Sequence, residues 1–169
     1  MAVTAHVFPS FSLAVAEKKV NLNATDTVQV ALIASTGGTG NSITWNSTSE
    51  GFTTFSSFLA GSGAGTVVEV SGGGYSRGAL TTAHTSVADS GVYTSFASTD
   101  SSIAWSSVTF TALYAVFIDN SVGGSDSTNQ LICYWDLGGA QSVSAGTFTL
   151  TFGTGSGSVS NCIVQWTSS

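Results

Sequence analysis

Charge is what this sequence has least of. Of 169 residues only three are Lys or Arg and nine are Asp or Glu, for a net charge of −6. The cations are Lys18, Lys19 and Arg77, too few to form the basic patch that neutralises successive phosphates, so nucleic acid is excluded as a backbone-bound partner. The same shortage argues against anionic membrane surfaces. No run approaches the ~20 continuous apolar residues of a membrane-spanning helix. No positive residue precedes the apolar stretch Phe11 to Ala16, so a signal peptide is not expected and synthesis in a cytoplasm is. The sequons at Asn23 and Asn46 then carry no meaning. Two cysteines, Cys133 and Cys162, fit neither a zinc site, which needs four ligands in paired spacings, nor a C-x-x-C redox site. They read as buried thiols acting as small apolar groups, with a bridge between their two strands as the alternative.

What is abundant is hydroxyl. Ser and Thr make up about a third of the chain, beside 20 Gly and a single Pro. Such a mixture suits a disordered linker only where apolar residues are scarce. Here 42% of residues are hydrophobic, with 4 Trp, 4 Tyr and 10 Phe among them, so the chain folds, and its length suits one domain spanning residues 1–169. A surface that is polar yet almost uncharged loses little on desolvation. It suits lasting contact with other protein subunits, where buried unpaired charge is what must be avoided.

Apolar periodicity gives the elements. Pro9, Phe11, Leu13, Ala14 and Ala16, followed by Lys18 and Lys19, predict a short helix with Pro in its first turn and cations near its end. Thr27 to Ala34 alternates and then turns continuously apolar, as a strand entering a core does. Ser35 to Asn46 reads as a long loop, and Phe52, Phe55, Phe58 and Leu59 as one face of a second short helix. Strands are expected at Val67 to Val70, Ile103 to Trp105, Val108 to Phe110, Ala112 to Ile118, Gln130 to Trp135, Gly146 to Phe152 and Cys162 to Trp166. Gly72 to Tyr75 and Asp119 to Asn129 read as turns, and Thr81 to Ser102 is diffuse. Short strands without β-α-β alternation point to an all-β fold, an antiparallel, jelly-roll-like β-sandwich with one or two short accessory helices.

Four constellations bear on chemistry. Gly74-Tyr75-Ser76-Arg77-Gly78 fits the G-x-S-x-G nucleophile pattern, but Ala79 to Ser86 offers no helix to follow the serine, and the upstream oxyanion-loop pattern is missing. His6 and His84 are the only general-base candidates near neutral pH. His84, Asp89 and any of many serines make a triad on paper, which in so Ser-rich a chain means little. Asp119, Asn120, Ser121, Ser125 and Asp126 gather hard oxygen ligands without the ordered spacing of a calcium loop, so a solvated turn accounts for them. Trp45, Trp105, Trp135 and Trp166 raise stacking against sugar rings, but Trp105 and Trp135 lie inside strand patterns where burial is the default. The sequence therefore assigns no catalytic, cofactor-binding or metal-binding residue, and the chain is not expected to be an enzyme.

Four segments in this order carry a resemblance. They are Phe11 to Ala34 with Lys18-Lys19 and the run Val28 to Ile33; Glu69-Val-Ser-Gly-Gly-Gly-Tyr-Ser-Arg-Gly-Ala-Leu80; Ile103-Ala-Trp105 with Thr109 to Asp119; and Leu131 to Leu137 continuing through Gly138-Gly139-Ala140-Gln141 to Leu150. Together they resemble a family of small tailed-phage virion proteins regarded as head or tail structural components. Two features depart from that pattern: Leu113 stands where a basic residue usually precedes Tyr-Ala-Val, and the Gly/Ser-rich tail after Phe152 is longer. The resemblance implies a virion location and a capsid decoration or cement role. Its partners would be the major capsid protein or other virion proteins and further copies of itself, a trimer being favoured. The alternatives are a tail or neck component and a host-glycan binding module.

Overall fold

The computed structural model describes residues 3–20, 27–36, 52–60, 67–80, 85–86, 93–98, 100–121, 124–153 and 162–167, with backbone alone at 35–36, 85–86, 93–96, 162 and 164–167. In chain order the elements are β1 (Thr4–Val7), α1 (Pro9–Ala16), β2 (Val28–Thr36), α2 (Phe55–Ala60), β3 (Val67–Glu69), β4 (Gly78–Ala79), β5 (Thr85–Ser86), β6 (Tyr93–Ala97), β7 (Ser102–Asp119), β8 (Gln130–Thr151) and β9 (Cys162–Thr167). The protein is all-β, with antiparallel pairing throughout the described sheets and two short helices. One sheet has the order β1-β8-β7-β2-β3, with β4 also on β2; the other has the order β5-β6-β9.

The spine is the β7–β8 pair, which runs from Ser102 opposite Thr151 to Asp119 opposite Gln130 with register shifts along the way. Its two halves differ in burial because their neighbours differ. From Ala112 to Asp119 every residue of β7 is buried: β8 and β2 pair with its two edges, and an apolar cluster packs on each of its faces. Side chains alternate between faces along a strand. Val28, Val30, Leu32, Ala115 and Phe117 therefore enter one apolar cluster, while Ala31, Ile33, Tyr114, Val116 and Ile118 enter a second on the opposite side. Phe8, Phe55 and Phe58 cap the second cluster. The chain turns into α1 at Phe8, whose amide donates to Ile132 O (3.2 Å), and Phe11 and Ala14 of that helix face the first cluster.

Beyond the central sheet, β7 and β8 continue as a two-stranded ribbon whose inner side chains Ile103, Trp105, Val108, Phe110 and Leu150 join the first cluster. The ribbon is bent at bulges between Trp105 and Val108 and between Ala112 and Tyr114. Ser107 and Ala145 take left-handed backbone conformations there (φ 57° and 47°), as do Gly138 and Gly139 (73° and 113°). Extra residues at bulges bend a strand and increase its twist. The smaller sheet meets this core at Ile163, whose carbonyl accepts the Trp135 indole N–H at 2.8 Å.

Three separately expected strands within 103–118 are thus one strand interrupted by bulges, and Gln130 to Trp135 is continuous with Gly146 to Phe152. β1 lies in a stretch read only as leading into a helix, and β4, β5 and β6 fall in or beside the diffuse region. Both helices stand where the periodicity placed them. Of the loop expected over Ser35 to Asn46, Ser35 and Thr36 instead end β2, paired with Val68 and Val67 of β3, and 37–46 lies outside the described residues.

Candidate functional site

The segment Glu69–Leu80 does its work through close backbone approach. Tyr75 N–H donates to Gly72 O (2.9 Å) and Thr109 N–H to Gly73 O (2.9 Å), which lays the turn on the β7 bulge. A Cβ at Gly73 would stand 2.0 Å from Thr109 O, and its φ is +55°, so only glycine fits that place. The turn delivers Tyr75 and Arg77 into a polar cluster on the sheet. Arg77 Nε and Nη2 donate to the two Glu69 oxygens (2.8 and 2.7 Å), and Nη1 and Nη2 to the two Asp126 oxygens (2.6 and 2.9 Å). The guanidinium also lies 4.6 Å from the centre of the Phe55 ring. Tyr75 donates its hydroxyl proton to Glu69 Oε1 (3.0 Å) and accepts from Leu32 N–H (2.9 Å).

One guanidinium therefore joins four parts of the chain: β3, the glycine turn, α2 and the β7–β8 connection. Paired forks are the strong form of charge-assisted hydrogen bond. The Glu69 and Asp126 hydrogen bonds hold the Arg77 pKa far above its ordinary value against the opposing cost of burial. The same hydrogen bond and charge hold the Asp126 carboxyl below the usual carboxylate range. Burial, with the nearby Glu69 charge, pushes the Tyr75 phenol well above its ordinary value; the Leu32 amide opposes this.

Ser76 is followed by β4 and not by a helix, so Gly74 to Gly78 does not build the strand-to-helix elbow that exposes a nucleophile. The Ser76 carbonyl accepts the Trp105 indole N–H at 2.6 Å. An open cleft of about 350 Å³ adjoins this segment, lined by Ser76, Arg77, Asp100, Ser102, Trp105 and their neighbours, with no histidine among the described lining residues. His6 is on β1, exposed and stacked on Tyr134 with centroids 4.8 Å apart. His84 and Asp89 lie outside the described residues.

The oxygen ligands of the 119–126 turn are not brought together. Asp119 is buried and accepts from Ser121 N–H (2.8 Å), Ser121 Oγ accepts from Thr27 N–H (2.7 Å), and Asp126 is committed to Arg77. Among the described residues no group of three His, Cys, Asp or Glu side chains could hold a metal ion. Trp105 and Trp135 are buried; Trp45 and the Trp166 side chain lie outside the described residues. Cys133 is fully buried in the first cluster, as expected of a small apolar group, and the Cys162 side chain lies outside the described set.

Sequence reasoning missed the Arg77 clamp. The available signal was a lone arginine in a glycine-rich turn with an acid eight residues before it; Asp126, 49 residues away, gave none.

The other distinctive surface is the outward side of the ribbon. Ser102, Ala104, Thr111, Ser142, Thr149 and Thr151 are exposed there, facing one another as Ser102–Thr151, Ala104–Thr149 and Thr111–Ser142. The Thr111 and Ser142 hydroxyls are 2.7 Å apart. No charged residue occurs between Ser101 and Ile118 or from Leu137 to the last residue. Compared with family models, curated proteins and solved structures, the chain matches none.

Proposed function

We propose that the protein is a structural subunit of a phage virion, non-enzymatic and placed as a decoration or cement protein on the head, where it binds the major capsid protein or a neighbouring virion protein. The observation that carries the reading is the ribbon's charge-free hydroxyl face. It offers hydrogen-bonding groups on a backbone that β-pairing has already ordered, and no charge need be stripped of water when a partner covers it. The arginine clamp suits the same role, because it fastens β3, the glycine turn, α2 and the β7–β8 connection to one another. The four-segment resemblance to tailed-phage virion proteins supplies the location.

Quantitative mass spectrometry of purified particles tests the reading. It is supported by roughly hundreds of copies per particle, as a shell-covering symmetry requires, together with bursting at lower temperature when the protein is left out, since binding only the assembled shell stabilises it. About six or twelve copies would place it at the neck or tail instead. Absence from particles would end the virion reading.

A further inference from the structure

Beyond the central sheet the outer edge of β8 is unguarded. β1 pairs with β8 only at Cys133–Asp136, so among the described residues no strand covers that edge from Gly146 to Thr151. Edge strands are ordinarily protected by a charge, a proline or a bulge. No charged residue follows Asp136, and the one proline is Pro9. The bulge around Ala145 bounds this segment on one side only. By contrast β1 and β3, edge strands of the same sheet, have four and three residues, and β3 carries Glu69.

Hydrogen bonding fixes which backbone groups point outward. Phe152 N–H donates to Ser101 O (2.9 Å), and Ser102, Ile103, Ala104 and Trp105 stand opposite Thr151, Leu150, Thr149 and Phe148. Hydrogen-bonded and non-hydrogen-bonded pairs alternate along an antiparallel ladder. Thr149 and Thr151 therefore hold non-hydrogen-bonded positions toward β7, and with Thr147 they aim their N–H and C=O groups away from it. The same three side chains are exposed on one face. On the other face Leu150 is buried and Phe148 only partly so, packed against the first cluster.

We infer that this edge pairs antiparallel with the same edge of a second copy, about a two-fold axis at Thr149. An unpaired row of N–H and C=O groups is complementary to another extended backbone, and the segment's own pattern selects itself. Turned about Thr149, it sets Thr147 against Thr151 and Thr149 against Thr149 on one face, and Phe148 against Leu150 on the other. Threonine pairs and apolar pairs are each favourable across strands, and no like charges meet. The pairing makes about six backbone hydrogen bonds between chains and covers Phe148. It also joins the two ribbons into one continuous sheet with a larger hydroxyl face. The outer edge of β7 is less open, since Thr109 N–H is already bonded to Gly73 O and Trp105 is bonded to Ser76 O. An isologous contact of this kind closes as a dimer, which differs from the trimer that the resemblance favours. The inference rests on the reading of the protein as an assembly subunit and names how its copies meet.

Disulfide trapping of the full chain tests the register, with wild type as the background for Cys133 and Cys162. In a hydrogen-bonded antiparallel pair the Cα atoms lie about 5.5 Å apart, within disulfide reach. Under mild oxidation Thr149→Cys should therefore form a linked dimer. Thr147→Cys mixed with Thr151→Cys should link at least about tenfold more than either alone, where the two cysteines stand about 14 Å apart. Ser142→Cys, exposed on the same face beyond the bulge, should not link. Sedimentation should show a concentration-dependent dimer that Thr149→Pro weakens at least about tenfold. That proline removes an outward N–H that no described strand uses, so the unfolding midpoint should stay near wild type. Should Thr149→Pro fail to fold, the cysteine set decides. Ser142→Cys linking as readily as Thr149→Cys, Thr147→Cys alone linking as readily as the mixture, or no Thr149→Cys dimer at any concentration overturns the inference. A protein that is monomeric yet carried in particles contradicts this inference alone; a linked dimer absent from particles contradicts the virion reading alone.

Discussion

Arg77 gathers two of the chain's nine carboxylates, Glu69 and Asp126, onto one guanidinium. Lysine in its place keeps the charge but loses the planar fork that meets two carboxylates at once. Arg77→Lys should therefore cost about 2 kcal/mol of stability, measured by denaturant unfolding, because Glu69 and Asp126 are left half-satisfied. Gly73→Ala should cost at least as much, since its new methyl meets Thr109 O. The same cluster sets the pH limits. Asp126 has a depressed folded pKa, so its contribution is present above the unfolded value of about 4 and is lost as pH falls below it. Tyr75 has a raised one, so its contribution is present below about pH 10 and is lost as pH rises beyond. Unfolding midpoints across pH should show both arms, with Asp126→Asn removing the acid arm and Tyr75→Phe the alkaline one. An unchanged alkaline arm in Tyr75→Phe would contradict this placement of the phenol.

Among the elements, the β7–β8 ribbon separates packing from presentation. Its inner face holds Trp105, 5% exposed and hydrogen-bonded to Ser76 O; Trp105→Ala should cost about 3–5 kcal/mol. Its outer face holds Thr149, exposed on a paired strand; Thr149→Lys should change folding stability by no more than about 0.5 kcal/mol. Urea unfolding of the two variants checks the contrast. The ribbon also shows what could be read in advance. The runs Ala112 to Ile118 and Gln130 to Trp135 were legible because both-face burial leaves a continuous apolar string. Their continuity with the segments beyond was not, because Ser106-Ser107 and Gly138-Gly139 are written in turn residues and serve here as bulges. β1 was hidden because a four-residue, mostly exposed edge strand has no apolar pattern to show.

At the scale of the whole molecule, composition spoke for the surface and topology for the site. Scarce charge and abundant hydroxyls anticipated a face like the outer ribbon. They gave no means to find the Arg77 clamp, which joins positions 69, 77 and 126 only after β2, β7 and β8 have paired. We propose that the charge-free ribbon face is a surface of lasting assembly, so one charge placed on it should reduce the number of copies of the protein in purified particles. Thr149→Lys is expected to keep the unfolding midpoint of wild type yet to be depleted from particles at least about tenfold. Incorporation at the wild-type level, with folding intact, would contradict it.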